Sequence, residues 1–441
     1  MTSVGLRTRA GSVGHAGAAM TARVCLITTG QPSTNPRLVK EADALAAAGY
    51  DVRVVCAYWV DWAFEADRQM LRPRSWSPMY VGGLGKAGLR HLWTRARHRA
   101  SCRALSFRPD SPTLQEQSVS RVMPELRRAA LRIPADLYIA HNLGALPAAV
   151  AAAAAHGARA GFDAEDFHSG ECPYGAPVTL SAAAAEAIER RHLRCCDYVT
   201  AASAGIADAY ASKYGIRRPV PILNVFPLAQ RLCGLGETHT DGPFRLYWFS
   251  QTIGPDRGLQ DAIDAMARLR EIPLELHLRG SWQPGYREFV LARCRALGVD
   301  PARIVSHPPG SPDEMVRLAA PYDVGLALEQ PVSRNREICL TNKIFTYLLA
   351  GNAIAGTATE GQAPVLARLG DAAFSYQPGD GAALAAGLRR WWVDRDRLEA
   401  ARRAAWRWGE REYNWDAEKD KFLDLVAAVL GHHSTAAMAA S

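Results

Sequence analysis

Short apolar runs alternate with amphipathic stretches along most of this chain. Residues 23–29 and 51–56 have the pattern of buried strands. Between them, Asn35 followed by Pro36 reads as a helix N-cap with proline at the first helical position, and Gly49 as the stop. Strand, loop, helix and strand in about 35 residues make a βαβ unit, which implies parallel strands and a right-handed crossover. The alternation returns at 136–142, where a strand ends in His141-Asn142, at 159–168, and at 197–203. There Ser203 caps a helix over 204–214 that Gly215 ends. A last strand of this half is expected over 221–227. Residues 231–242 carry no periodicity and read as a linker.

The second half restarts the pattern. Strands are expected over 244–250, 274–280, 303–309 and 323–328, with an amphipathic helix over 259–269. A turn-rich loop over 251–258 joins the first strand to that helix. Residues 337–351 form a loop that turns into a helix. Thr341 is its expected N-cap, Ile344, Phe345, Leu348 and Leu349 form one apolar face, and Gly351 closes it. A buried strand follows over 352–355. Residues 377–430 are mostly helical, with their tryptophans read as packing. Two βα halves around a linker define an α/β protein of two doubly wound parallel-sheet domains.

Length and composition are consistent with this division. A chain of 441 residues with 48% hydrophobic content can fill more than one core. No apolar run reaches the roughly 18 residues that span a bilayer. The nine cysteines show neither a C-x-x-C pair nor metal-ligand spacing, so reduced cytosolic thiols are expected. Residues 1–19 lack the apolar core of a signal peptide and read as a disordered tail, with Met20 a natural alternative start.

Charge changes the picture in one region. Residues 1–110 hold 16 Lys and Arg against 7 Asp and Glu, and the remainder hold 36 against 37. Residues 58–125 also interrupt the alternation and are rich in Trp and Arg. No acidic residue lies between Lys86 and Arg108, and Leu89, Trp93 and Ala96 form an apolar stripe beside the arginines. This pattern fits an interfacial helix that meets anionic lipid or a lipid-linked acceptor; the plainer reading is a solvated surface helix. No nucleic-acid motif is present.

Candidate chemistry lies at the carboxyl ends of strands, where ligands of such sheets sit. The Gly30-Gln31 loop, His141 and Asn142 are there in the first half. Asp163, Glu165 and Asp166 form an acidic cluster that can act as a base, hold a metal, or cap helices. In the second half the N-terminus of the helix after Thr341 offers free N–H groups to a phosphate, with Asn342 and Lys343 in its first turn.

Several of these segments resemble one family. Asn342-Lys343-Ile-Phe-Thr-Tyr-Leu-Leu-Ala-Gly351 resembles the donor-site helix of the GT-B glycosyltransferases of family 4. Asp136-Leu-Tyr-Ile-Ala-His141, with Leu146-Pro147 after it, and the Gly30 loop resemble other segments of that family. The resemblance runs from Met20 onward and rests on the order and spacing of motifs. It implies two Rossmann-like domains facing a cleft: residues 20–230 on the acceptor side with an insertion over 58–125, the linker 231–242, and residues 243–410 for the nucleotide-sugar. A terminal helix over 411–430 would cross back, and 431–441 would be a tail. His141 would contact the donor sugar. Arg257, in a Lys-Gly position, would clamp the diphosphate with Lys343, Thr341 and Asn342, while Ser250 or Gln251 stands where the family has an arginine. Two glutamates eight positions apart usually hold the nucleotide-sugar. Here the second is Thr346, and Glu337 takes the first role only with a one-residue shift. Arg279 and His307 would border the nucleoside, and Gly30, Gln31, Asn142, Asp163 and Glu165 the acceptor cleft.

The implied activity is retaining transfer from a nucleotide-sugar to a lipid-linked or polysaccharide acceptor in cell-surface glycan synthesis. It needs no metal or other cofactor. It would take place in the cytoplasm or at the inner membrane face, without nucleic acid. Thr346 and the missing arginine favour a second reading, a scaffold that binds sugar nucleotides without turnover. A nucleotide-sugar epimerase is the third.

Overall fold

The computed structural model describes residues 21–86, 88–236 and 242–431. The tail expected over 1–19, linker residues 237–241 and all but the first residue of the tail over 431–441 lie outside the described residues.

In chain order the first half forms β1 (Arg23–Thr28), α1 (Pro36–Ala47), β2 (Asp51–Ala57), α2 (Asp61–Leu71), β3 (Pro78–Val81), α3 (Leu89–Leu105), α4 (Pro112–Val119), α5 (Met123–Ala130), β4 (Leu137–His141), α6 (Leu146–His156), β5 (Arg159–Ala164), α7 (Leu180–His192), β6 (Tyr198–Ala201), α8 (Ala204–Tyr214) and β7 (Val220–Pro221). The described strands form a parallel sheet in the order β3-β2-β1-β4-β5-β6-β7. The order reverses between β1 and β4, so a crevice opens at their carboxyl ends. Helix α1 starts as its sequence requires: the Asn35 side chain accepts from the Leu38 N–H at 3.1 Å. The strand expected over 221–227 shrinks to two residues, because Pro219, Pro221 and Pro227 have no N–H to give a ladder. The insertion contributes α2 to α5 and the edge strand β3.

The second half forms β8 (Phe244–Ile253), α9 (Leu259–Arg268), β9 (Leu274–Trp282), α10 (Tyr286–Ala296), β10 (Ile304–His307), α11 (Met315–Ala319), β11 (Val324–Ala327), α12 (Arg334–Ile338), α13 (Asn342–Ala350), β12 (Ala353–Thr357), α14 (Ala363–Leu369), β13 (Ala373–Tyr376), α15 (Gly381–Val393), α16 (Arg395–Arg411) and α17 (Trp415–Leu430). Its parallel sheet has the order β10-β9-β8-β11-β12-β13, again with a reversal, here between β8 and β11. Ser250 is on the strand as expected, while Gln251, expected in the loop, corrects the sequence reading. Both lie on β8, which continues through a bulge to pair Thr252 with Ser281 and Ile253 with Trp282. Gly280 permits the bulge, because a Cβ there would fall 2.2 Å from the Ser250 carbonyl oxygen.

Among the described residues the domains touch beside the crevice and again farther back. Beside the crevice, Phe167 N–H donates to Asn335 Oδ1 (2.8 Å), Asn335 Nδ2 to Asp166 Oδ1 (2.9 Å) and Tyr174 N–H to the Val332 carbonyl (2.9 Å). Farther back, α17 packs against α1. The Leu223 N–H donates to Glu418 (3.0 Å), and Lys40 Nζ lies 5.2 Å from the Trp415 ring centroid.

Candidate active site

At the carboxyl end of β11 the chain buries a carboxylate, Glu329, only 2% exposed. Lys343, in the first turn of α13, donates to it at 2.6 Å, and Thr341 Oγ1 at 3.3 Å. Arg336 of α12 makes a second ion pair with it. Burial pushes the Glu329 carboxyl up, but Lys343, Arg336 and Arg257 outweigh burial and hold it at about 2. Arg257 carries burial and the repulsion of Arg336, offset in part by Glu329. Three cations therefore converge on one carboxylate beside the N-terminus of α13, and the local excess is positive. Gly258 delivers Arg257 there: its φ is +73°, and a Cβ would fall 2.3 Å from the Leu328 carbonyl oxygen.

Thr341 and Thr346 differ from expectation. The Thr341 side chain makes no cap hydrogen bond, because its hydroxyl turns to Glu329 instead. The N–H groups of the first turn of α13 therefore have no side-chain acceptor from the N-cap. Thr346 is fully buried, and its hydroxyl donates to the Asn342 carbonyl one turn back (3.1 Å), so its side chain borders no nucleoside site. Asn342 is half-buried in that first turn. Arg279 is buried as well: it donates to Tyr247 Oη and the Pro308 carbonyl, 2.8 Å each, and so holds the loop after β10. His307 stacks on His277 with ring centroids 5.2 Å apart. Burial and the neighbouring His277 push its imidazole below the ordinary value. The Arg279 side chain thus shapes the backbone after β10, while His307 stays half-buried beside it.

Glu337 stands apart from Glu329, at the junction of the domains. Tyr174 of the first domain donates to it, and Arg334 does so at 3.1 Å. Arg334 also pairs with Glu360. The Tyr174 hydrogen bond and Arg334 keep the Glu337 carboxyl below its ordinary range against some desolvation.

Across the crevice the first domain holds a second charged cluster, set by strand register. His141, Asp163 and Thr200 are side by side on β4, β5 and β6. Helix α1 closes over them with Arg37 and Glu41, one turn apart. Arg37 binds Asp163 through two nitrogens, at 2.6 and 2.7 Å, and Thr200 donates to the same carboxylate at 2.7 Å. His141 Nε2 lies 3.1 Å from Glu41 and Nδ1 3.3 Å from Asp163. Burial opposes charge on His141, but the two carboxylates outweigh it and raise its pKa to about 9. Asp163 is held well below the carboxylate range against burial, chiefly by Arg37. Glu41, His141 and Asp163 present three ligand atoms within 4.8 Å of one another. Arg37 and imidazolium already balance the two carboxylates, which does not fit a further cation.

Several expected cleft residues are corrected by this cluster. His141 and Asp163 are each 1% exposed and face no open cleft: Asp163 accepts from Arg37 and Thr200, and the His141 nitrogens lie near carboxylates without a hydrogen bond. Gln31 is fully buried: its oxygen accepts from the Trp59 and Val60 N–H groups (2.8 and 2.7 Å), and its nitrogen donates to Asp67. Gly30 and Asn142 remain partly exposed at the strand ends, with Asn142 accepting from Thr29 at 2.9 Å. Glu165 is partly exposed too, and burial, then Asp166, raise its carboxyl to about 7.

Glu329, Arg336, Arg37 and Glu41 were missed by the sequence reading. A lone carboxylate directly after an apolar strand marks Glu329, and charges at i and i+4 on the core face of α1 mark Arg37 and Glu41.

Two doubly wound domains closing on a cationic pocket define the GT-B class. Residues 34–224 match the glycosyl transferase 4-like domain, and the two domains together have this fold. No curated protein sequence matches it. Among solved structures it is similar to Anabaena HepE in complex with UDP, with a TM-score of 0.64, 15% identity, and 92% of this chain and 100% of that one covered. It is also similar to sucrose-phosphate synthase from Thermosynechococcus elongatus (TM-score 0.67, 12% identity, coverage 93% and 99%). A third likeness is to the lipopolysaccharide outer core galactosyltransferase WaaB (TM-score 0.57, 12% identity, coverage 92% and 99%). Identities this low establish the fold that these proteins share.

Proposed function

We propose that the protein is a retaining glycosyltransferase that moves a sugar from a nucleotide-sugar to a lipid-linked or polysaccharide acceptor in cell-surface glycan synthesis, at an anionic membrane surface. The observation that carries the donor half is the convergence of Arg257, Arg336 and Lys343 on the single carboxylate Glu329. A diphosphate takes up the cationic excess of this pocket and also meets the free N–H groups at Thr341–Asn342. As the bond from the sugar to the diphosphate breaks, charge accumulates on the leaving oxygens, and fixed cations in a dry pocket stabilise it. The acceptor hydroxyl forms the new bond and gives up its proton. The pocket supplies its own cations, so the scheme runs without a metal. Arg336 stands in for the clamp that Ser250 and Gln251 do not supply. Glu337, at the domain junction, is the carboxylate assigned to the sugar. His141 positions α1 and β5 beneath the acceptor side.

HepE is solved in complex with UDP, which makes uridine nucleotides the first donors to test, and WaaB is a lipopolysaccharide outer core galactosyltransferase, which supports the acceptor class. Thr346, turned into its own helix, leaves the ribose without the usual carboxylate. That observation favours the second reading, a nucleotide-binding scaffold without turnover. Calorimetry against a panel of nucleoside diphosphates and nucleotide-sugars, with and without EDTA, separates the readings, with Arg257→Ala as control. EDTA-insensitive binding lost in the variant supports the transferase pocket. Binding without product in the presence of lipid-linked acceptors favours the scaffold, and no binding refutes both. The anomeric configuration of the product tests retention.

A further inference from the structure

Helix α3 is amphipathic with its faces reversed. Toward the protein it presents polar side chains. Thr94 accepts from Arg121 (2.8 Å), Arg97 pairs with Glu125 (2.7 Å), His98 Nδ1 lies 2.8 Å from the Gln117 carbonyl, and Ser101 donates to the Gln117 side chain (2.9 Å). Toward solvent it presents Leu89, 86% exposed, and Trp93, 63% exposed, with Leu92 beside them. An ordinary surface helix does the opposite.

The apolar face continues onto the next element. Lys86 pairs with Asp61 at 3.3 Å, and the Tyr58 and His91 rings lie 5.8 Å apart, which ties the start of α2 to the start of α3. Trp59 and Trp62, both more than half exposed, therefore extend the same surface. Around the apolar stripe stand Arg90, Arg95, Arg99, Arg103 and Arg108, all exposed and without an ion pair among the described residues. Tryptophans beside unpaired arginines match the chemistry of a bilayer interface, where the indoles sit at headgroup depth and the guanidiniums meet lipid phosphates. No described helix is long and apolar enough to cross a membrane.

We propose that this face of α3, with the start of α2, docks the enzyme on an anionic lipid bilayer. The inference rests on the membrane-borne acceptor for its purpose, but the surface carries it without the donor pocket. The bilayer is favoured over nucleic acid because the centre of the patch is indole and leucine, not charge. It is favoured over a second copy because five like charges would face one another across a two-fold axis.

The test is sedimentation of the full chain with phosphatidylcholine vesicles with and without about one third phosphatidylglycerol, in low and high salt. The variants are Leu89→Ser with Trp93→Ser, and Arg95→Glu with Arg99→Glu; both change exposed positions, where folding tolerates substitution. Expected are binding to the anionic vesicles, a loss of at least about ten-fold in each double variant, and nucleotide binding by calorimetry unchanged in both. No binding to anionic vesicles, or binding that the variants leave intact, overturns the proposal. So does a dimer in sedimentation velocity that the Ser variant dissolves, or tighter binding to a DNA duplex that the Ser variant retains. Vesicle binding by a protein that binds no nucleotide supports this inference while refuting the donor reading, so the two failures are distinct.

Discussion

Replacing Glu329 with Gln removes the carboxylate on which Arg257, Arg336 and Lys343 act and nearly preserves the side chain's shape. Glu329 is 2% exposed and meets Lys343 at 2.6 Å. Its carboxyl is held at about 2 instead of the ordinary 4.5, which corresponds to about 3 kcal/mol of stability at neutral pH. Breaking a buried ion pair from one side costs about 3–5 kcal/mol by a separate route. The amide keeps a hydrogen-bond acceptor for Lys343, so the lower figure applies. At about 2–4 °C per kcal/mol for a domain of this size, Tm falls by roughly 6–12 °C. The same substitution frees three cations for an anion. Inorganic pyrophosphate, which has no base or sugar to confuse the result, should bind the variant more tightly than the parent. The gain is bounded at about 100-fold if the whole 3 kcal/mol returns. Differential scanning fluorimetry with a pyrophosphate titration measures both effects. An unchanged Tm, or pyrophosphate binding no tighter than in the parent, refutes the argument that Glu329 offsets the three cations a diphosphate would meet.

Other expectations follow from the same geometry. Gly258→Ala should weaken both pyrophosphate binding and thermal stability, since φ is +73° and the new Cβ strikes the Leu328 carbonyl at 2.3 Å; equal binding would show that the Arg257 loop is not set by this turn. Asp163→Asn leaves Arg37 and His141 short of a buried partner, with a cost of about 3–5 kcal/mol in urea unfolding. His141 has its folded pKa raised from 6.5 to about 9, so its contribution is complete below about pH 6.5 and is lost as pH rises through about 9. His141→Gln should remove that alkaline decline; Lys40 and Glu165, both near 7 in the parent, titrate beside it, and Glu165 loses the lowering influence of His141 in the variant. Glu329 acts in the opposite direction: its contribution is present above about 4.5 and is lost as pH falls toward about 2, and Glu329→Gln should flatten the acid limb of the stability curve.

What the sequence showed and what it concealed divide along a physical line. Strands 23–28 and 244–250, the Asn35-Pro36 start of α1 and the Gly351 stop of α13 are local. Burial periodicity, caps and glycine conformations write them into adjacent residues, and two repeats of that grammar define the fold. The pocket is not local. Lys343 announces itself through the helix it opens, but Arg336 meets Glu329 only once the chain has turned from β11 into α12. No spacing rule connects a carboxylate after one strand to an arginine seven residues on. Thr341 shows the same limit from the other side. Its position makes it an N-cap, yet Glu329 attracts its hydroxyl more strongly than the backbone does. His141 was found by its place at a strand end, while its enclosure depends on Glu41 and Asp163, which are 100 and 22 positions away. A reading of conserved spacing sees the missing clamp at Ser250 and Gln251 as a loss. The folded chain brings Arg336 to Glu329 from a different element, and under the proposed function charge at the phosphate, rather than the identity of the segment that brings it, is what the chemistry requires.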